Sequence, residues 1–159
     1  MDCRFKNDKG WFRYRAAAII IEDDCVLMAS NEVSPYYYSV GGGIHLHETA
    51  EDAVIREVLE ETGINYVIDH LVFIHENFFI DDTIALGVPC HEVALYYLMK
   101  SKSTKELNSN SYSQGVRETM NWLPIENLSQ YTIFPTFFKD RLRSIPNYPE
   151  NIVTLEFEK

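Results

Sequence analysis

The chain has 159 residues, is 46% hydrophobic and 24% charged, and carries a formal net charge of −10 with a pI near 4.9. Such a length and apolar share suit one folded domain with its own core and argue against disorder. The acidic balance, with no basic patch in it, excludes a long nucleic acid as the expected partner. No apolar run approaches the roughly eighteen residues of a membrane span, and no signal-peptide segment opens the chain. Cys3, Cys25 and Cys90 are odd in number and widely spaced, which suits free thiols in a reducing cytoplasm rather than a disulfide frame or a zinc site.

In chain order, residues 1–13 are mixed and polar around Trp11-Phe12 and read as a lead-in strand or loop. Residues 14–21 and 25–29 are rich in strand formers and flank Glu22-Asp23-Asp24, the pattern of a hairpin with an acidic turn. Residues 30–35 form a loop, and 36–40 a short aromatic strand that runs into Gly41-Gly42-Gly43. A helix is predicted over 50–62. Thr49 with Asp52 three residues on supplies a capping-box start, and Gly63 supplies the left-handed residue that ends it. At about 100° per residue, Val54, Ile55, Val58 and Leu59 form one apolar arc predicted to face the core. Ala50 and Ala53 fall on the other face and leave it open.

Residues 66–80 hold one long strand or two short ones, with His70 and Asn77 as breaks. Gly87-Val88-Pro89 marks a turn, and 91–99 a strand. The polar stretch 100–115, rich in Ser, Asn and Lys, reads as a mobile loop. A strand over 117–123 ends at Pro124, and a short helix near 125–130 follows. A second helix is predicted over 135–145, with Phe137, Phe138 and Leu142 inward. Val153, Leu155 and Phe157 alternate with polar residues, giving a last strand or edge segment. Mixed strands with two main helices and no repeat or linker make an α+β fold in a single domain over 1–159.

The chemistry concentrates in the first helix. Glu57, Glu60 and Glu61 stand at i, i+3 and i+4 and share one face. Like charges at that spacing cost a helix about 0.2–0.5 kcal/mol per pair, so a sequence shaped for helix stability alone would place a lysine among them. A divalent cation is the physical remedy for converging carboxylates, and all-oxygen ligands suit Mg²⁺ or Mn²⁺.

The run Gly42-x5-Glu48-x7-Arg56-Glu57-Val58-x-Glu60-Glu61-x-Gly63-Ile64 resembles the Nudix box at every fixed position. Chance would produce such a match on the order of once in ten million chains of this length. The chain is thereby identified as similar to the small, MutT-like members of the Nudix hydrolase superfamily. That resemblance implies an α/β/α sandwich around a mixed sheet. It also implies metal-dependent hydrolysis of a phosphoanhydride in a small nucleoside diphosphate derivative, such as a nucleoside triphosphate cut to monophosphate and pyrophosphate. By the same resemblance Glu60 and Glu61 would be direct ligands of Mg²⁺ or Mn²⁺, and Glu57 a ligand or the base acting on water. Arg56, paired with Glu48, would tie the helix to the glycine loop, and the backbone carbonyl near Gly42 would complete the metal shell. A further carboxylate often joins from outside the box. Glu118, four residues before Trp122, is the first candidate, and Glu92 on the 91–99 strand the second, as ligand or substrate contact.

The chain also departs from the family pattern. Positions 45 and 47 commonly hold an acidic residue and a glycine, whereas here His45 and His47 stand there, either facing solvent or touching metal or phosphate. Ser30-Asn31 replace an arginine that often contacts phosphate; Arg15, or Arg13, could take over that role. Tyr36, Tyr37 and Tyr38 alternate across their strand, so one or two, Tyr36 and Tyr38 above all, could wall a stacked base while another packs inward. Phe78 and Phe79 carry the same ambiguity. The expected partner is a small nucleotide, with no nucleic-acid polymer and no membrane, and the final strand offers an edge on which a homodimer could form. A nucleotide-sensing module on the same fold is the competing reading. Sensor descendants tend to lose the glutamates, and this chain keeps them all.

Overall fold

Residues 16–20, Ala-Ala-Ala-Ile-Ile, are apolar at consecutive positions, as a strand covered on both faces requires. The structure, a computed structural model, describes residues 1–81 and 87–156 and places this run at the centre of the molecule. The elements are β1 (Arg4–Asn7), β2 (Gly10–Ile19), β3 (Ile21–Glu22), β4 (Cys25–Asn31), β5 (Tyr37–Ser39), β6 (Gly41–Gly43) and α1 (Ala50–Thr62). After them come β7 (Ile68–Asp81), β8 (Val88–Met99), β9 (Tyr112–Ser113), β10 (Val116–Pro124), a 3-10 turn (Ile125–Gln130), β11 (Ile133–Phe134), α2 (Phe138–Arg141) and β12 (Glu150–Leu155).

Two sheets share the chain. One runs β1-β2-β8-β7-β12 with β6 alongside β2, and mixes parallel (β2/β8, β7/β12) with antiparallel (β7/β8) pairs. The other runs β11-β5-β4-β10-β9 with β3 against β4. Side-chain alternation then makes two cores. Ala16, Ala18 and Ile20 pack with Val40, Ala53, Val54, Val58 and Tyr97 beneath α1. Ala17 and Ile19 pack on the opposite side with Phe73, Tyr96, Leu128, Phe137 and Phe138, under the 3-10 turn and α2. The result is the expected α+β sandwich, helix over sheet over helix.

Several expectations need correction. The buried stripe of α1 is Ala53, Val54, Val58, Glu61 and Thr62, whereas Ile55 and Leu59 are 40% and 41% exposed. Val54 and Val58 face the core as expected, but Ala53 and Glu61 take the inward places expected of Ile55 and Leu59. The expected second helix is helical only over Phe138–Arg141. Pro135 and Pro146 bracket the stretch, and the residue before a proline is steered away from helical dihedrals. Phe137, Phe138 and Leu142 are nevertheless buried as expected.

The acidic turn joins β3 to β4, with Asp23 and Asp24 both left-handed at φ 47° and 57°, while β2 departs into the other sheet. β7 is one continuous strand. The expected break at His70 is a register shift between Ile68 and His70, a local irregularity that bends a strand without ending it. The lead-in segment forms a β1–β2 hairpin whose turn is closed by Asn7 Oδ1, accepting from the amides of Lys9 and Gly10. Of the stretch 100–115 expected as a mobile loop, 100–111 is irregular but tied down by hydrogen bonds, and Tyr112–Ser113 form β9 against β10. Phe157 lies outside the described residues. Among the described residues the cysteines are free, and no helix is long and apolar enough to cross a membrane.

Candidate active site

Two caps set the ends of α1. The amide of Asp52 donates to Thr49 Oγ1 at 3.1 Å, and Gly63 takes φ 72° with its amide donating to Leu59 O. Between them Arg56 reaches back to the loop that precedes the helix. Its Nε donates to Glu48 Oε1 (2.8 Å) and its Nη2 to Glu48 Oε2 (3.0 Å) and Gly43 O (3.1 Å). Its Nη1 donates to Glu57 Oε1 (2.5 Å) and lies 3.5 Å from Glu60 Oε2. Hydrogen bonds from Arg56, helped by the His45 amide, hold the Glu48 carboxyl down at about 2, and Glu48 in turn raises the guanidinium. A side chain at Gly42 would meet the Glu57 carboxylate and displace it from its present position.

The three helix glutamates differ sharply in surroundings. Glu60 is 59% exposed. Glu57 is largely covered, and burial raises its proton affinity against the opposing Arg56 hydrogen bond, with Glu60 adding to the rise. Glu61 is only 6% exposed. Its Oε1 accepts the Gly41 amide at 3.1 Å, while its Oε2 is buried without a hydrogen-bond partner among the described residues. Burial first, then the field of Glu118, pushes its carboxyl well above the ordinary range. Glu118 reaches the site from β10. Tyr38 donates its hydroxyl hydrogen to Glu118 Oε2, and Ser111 Oγ donates to Oε1 at 2.7 Å. Burial and then Glu118 raise the Tyr38 phenol.

The other anticipated residues fall around this centre. Arg15 Nη2 donates to Gly41 O at 3.2 Å, and its Nη1 is 3.8 Å from Glu92 Oε1. Arg13 Nε is 3.2 Å from Glu92 Oε2. The buried Glu92 is thus shared between two guanidiniums, and Arg15 also feels Glu61 and Glu57 beside the glycine turn. Burial lowers Arg13, whereas at Arg15 the attraction of Glu92 and other anions outweighs burial. Tyr36 meets Phe134 and Tyr38 edge-on at 5.0 and 6.3 Å, and Tyr37 turns to Tyr131. Phe78 stacks on His91 at 4.2 Å, and Phe79 pairs in register with Cys90. His45 Nε2 lies 3.4 Å from Asp2 Oδ1. His47 is exposed in the left-handed region at φ 68°, the backbone state that explains a glycine at this position elsewhere.

Sequence reading missed the residues that hold the Glu118 carboxylate and the end of α1 from outside. Tyr38, expected as a stacking wall, gives its hydroxyl to Glu118. Ser111, Ser109 and Asn108 sit in what reads as plain polar loop. The Asn108 amide donates to Thr62 O (2.9 Å), Ser109 Oγ to Glu61 O (2.5 Å), and Trp122 Nε1 to Lys105 O (3.2 Å). No periodicity in the sequence marks these residues.

Among the described residues no three His, Cys, Asp or Glu side chains converge at ligating distance, since Glu57 is drawn to Arg56 and Glu60 to solvent. The donor set nonetheless fits a hard dication. It offers carboxylate and carbonyl oxygens only, and one oxygen, Glu61 Oε2, is buried with nothing to satisfy it.

Solved structures share this architecture. The MutT NUDIX hydrolase from Burkholderia pseudomallei superposes with a TM-score of 0.59 at 24% identity, covering 80% of this chain and 95% of that one. The MutT protein from Methanosarcina mazei Go1 gives 0.62 at 18% identity, with 85% and 92% covered. A MutT-like protein of Streptomyces ambofaciens is 36% identical over 62 residues, 38% of this chain and 40% of the relative; the match thus spans under half the length of that curated relative. The sequence model of the NUDIX domain matches residues 11–145, a span that holds the glycine turn, α1, Arg15, Tyr38 and Glu118 together, and the chain belongs to the NUDIX family.

Proposed function

We propose that the protein is a pyrophosphohydrolase that uses Mg²⁺ or Mn²⁺ to cut a phosphoanhydride bond of a small nucleoside diphosphate derivative. The observation that carries this reading is the burial of Glu61, with one oxygen unsatisfied and the fields of Glu118 and Glu57 upon it. An uncompensated carboxylate in that setting is costly, and a cation removes the cost.

Glu57, Glu60, Glu61 and Glu118, with the Gly42 carbonyl, are the groups that would hold the ion. When bound, it neutralises phosphate oxygens and lowers the pKa of water. Arg56 keeps the glycine turn, Glu48 and Glu57 in one rigid unit, so the reacting groups need no reorganisation. Because Arg56 occupies Glu57 Oε1, Oε2 is the atom to receive a proton from the attacking water, and burial raises its affinity toward the range a general base needs. Arg15 supplies the positive charge that a substrate phosphate would meet beside Gly41. Tyr36 offers a ring to a base. The net charge of −10 favours a compact nucleotide over a polymer, whose backbone would extend beyond the reach of these cations.

With a nucleoside triphosphate as substrate, the expected products are the monophosphate and pyrophosphate, separated by ion exchange. Chelator should abolish turnover and Mg²⁺ or Mn²⁺ restore it. Glu57→Gln should lower kcat by about a hundredfold or more. Orthophosphate as the first product from every active substrate would overturn the bond assignment, and full activity in chelator the cation.

A further inference from the structure

Two buried acids of the site come from distant parts of the chain, Glu61 from the last turn of α1 and Glu118 from β10. Their spacing depends on whatever joins those elements. The segment 108–111 does so directly. At one end the Asn108 amide and the Ser109 hydroxyl take the free carbonyls of Thr62 and Glu61, at 2.9 and 2.5 Å. These are the carbonyls that a helix leaves unsatisfied at its C-terminus. At the other end Ser111 accepts the Glu118 amide on its carbonyl at 2.9 Å and donates its hydroxyl to Glu118 Oε1 at 2.7 Å. Ser111 is buried, although the neighbouring residues are polar and largely exposed. Gly63 admits the segment: a side chain there would strike the Asn108 carbonyl.

We propose that Asn108–Ser111 is a positioning strap for the cation site, with Ser111 the positioning residue for Glu118 and Ser109 for the turn that carries Glu61. The inference rests on the reading of the site as a divalent-cation centre. Glu118 accepts from Tyr38 on one oxygen and Ser111 on the other. Removing the serine hydroxyl frees the side chain to rotate about the remaining bond, away from Glu61. Truncating Ser109 releases the α1 end without touching Glu118.

Mn²⁺ uptake by the substrate-free protein, followed by calorimetry or by loss of the free-ion EPR signal, tests this without turnover. Ser111→Ala should weaken Mn²⁺ binding about tenfold or more, as loss of a hydrogen-bond partner behind a ligand does. On a Glu118→Gln background the same change should have no further effect, whereas Ser109→Ala should weaken binding in both backgrounds. Equal weakening by Ser111→Ala in both backgrounds would mark it as a general support of the fold and overturn the proposal, as would wild-type affinity. Should Ser111→Ala not fold, Ser109→Ala with wild-type affinity overturns the strap on its own. Wild-type protein that takes up no Mn²⁺, or Glu61→Gln that takes it up undiminished, overturns the cation reading and the strap together. Uptake lost in Glu61→Gln but intact in Ser111→Ala overturns the strap alone.

Discussion

Arg56 shows how one side chain can hold a site together. Its planar fork grips both oxygens of Glu48 through Nε and Nη2, Nη2 also donates to Gly43 O, and Nη1 reaches Glu57. Lysine carries the same charge on a single nitrogen and can satisfy only part of that set. Arg56→Lys is therefore expected to keep its far-UV circular dichroism and lose about 10–100-fold in kcat/KM; wild-type kinetics would show that charge alone suffices. Glu48 has a stability signature of its own. Its carboxyl lies at about 2, below the ordinary 4.5, so its contribution is present above 4.5 and is lost as pH falls through about 2.

At the scale of the element, α1 is a helix whose inward stripe carries acids as well as apolar groups. Ala53, Val54 and Val58 make the contact with the sheet, and Glu61 continues the same stripe into the site. Leu59, 41% exposed, lies off it. Leu59→Ala should then cost under about 1 kcal/mol, as at an exposed position, while Val58→Ala should cost about 2 kcal/mol through its cavity. Urea unfolding of both variants decides the rotation of the helix, and a larger loss at Leu59 would refute it. Gly63 is held in place twice, by φ 72° and by the Asn108 carbonyl. Gly63→Ala should destabilise by about 1–2 kcal/mol from the dihedral alone, and by more because the strap must move. A near-neutral result in the same assay would contradict this packing.

At the scale of the whole molecule, the buried acids link folding to pH and to cations. Glu61 has a raised proton affinity in the folded state, so folding favours its protonated form. Stability from this group is full below the ordinary 4.5 and is lost as pH rises through its folded value. A bound dication reverses that dependence, because it stabilises the ionised carboxylate. The Tm of metal-free protein, taken relative to Glu61→Gln, should fall as pH rises above 4.5. The Tm increase on adding Mg²⁺ should be larger near about pH 8 than near about pH 5. A relative Tm that climbs with pH in the absence of metal would contradict the burial of Glu61.

What the sequence by itself determined is local. The ends of α1 follow from Thr49 and Gly63, and the i, i+3, i+4 placement of Glu57, Glu60 and Glu61 from spacing along one helix, but not their separate surroundings. Each of these is written in neighbours three or four residues apart, which a linear pattern can display. Tertiary structure decided the rest. Periodicity turned Ile55 and Leu59 inward, but close packing of Ala53 on the sheet and the inward set of Glu61 rotated the helix away from that solution. Tyr38 looked like a stacking ring until β10 brought Glu118 to its hydroxyl from 80 residues away. The polar stretch before Ser111 looked unstructured because its order comes from no repeat of its own. It is ordered by carbonyls left open at the end of another element, and such long-range satisfaction of backbone groups leaves no period to read.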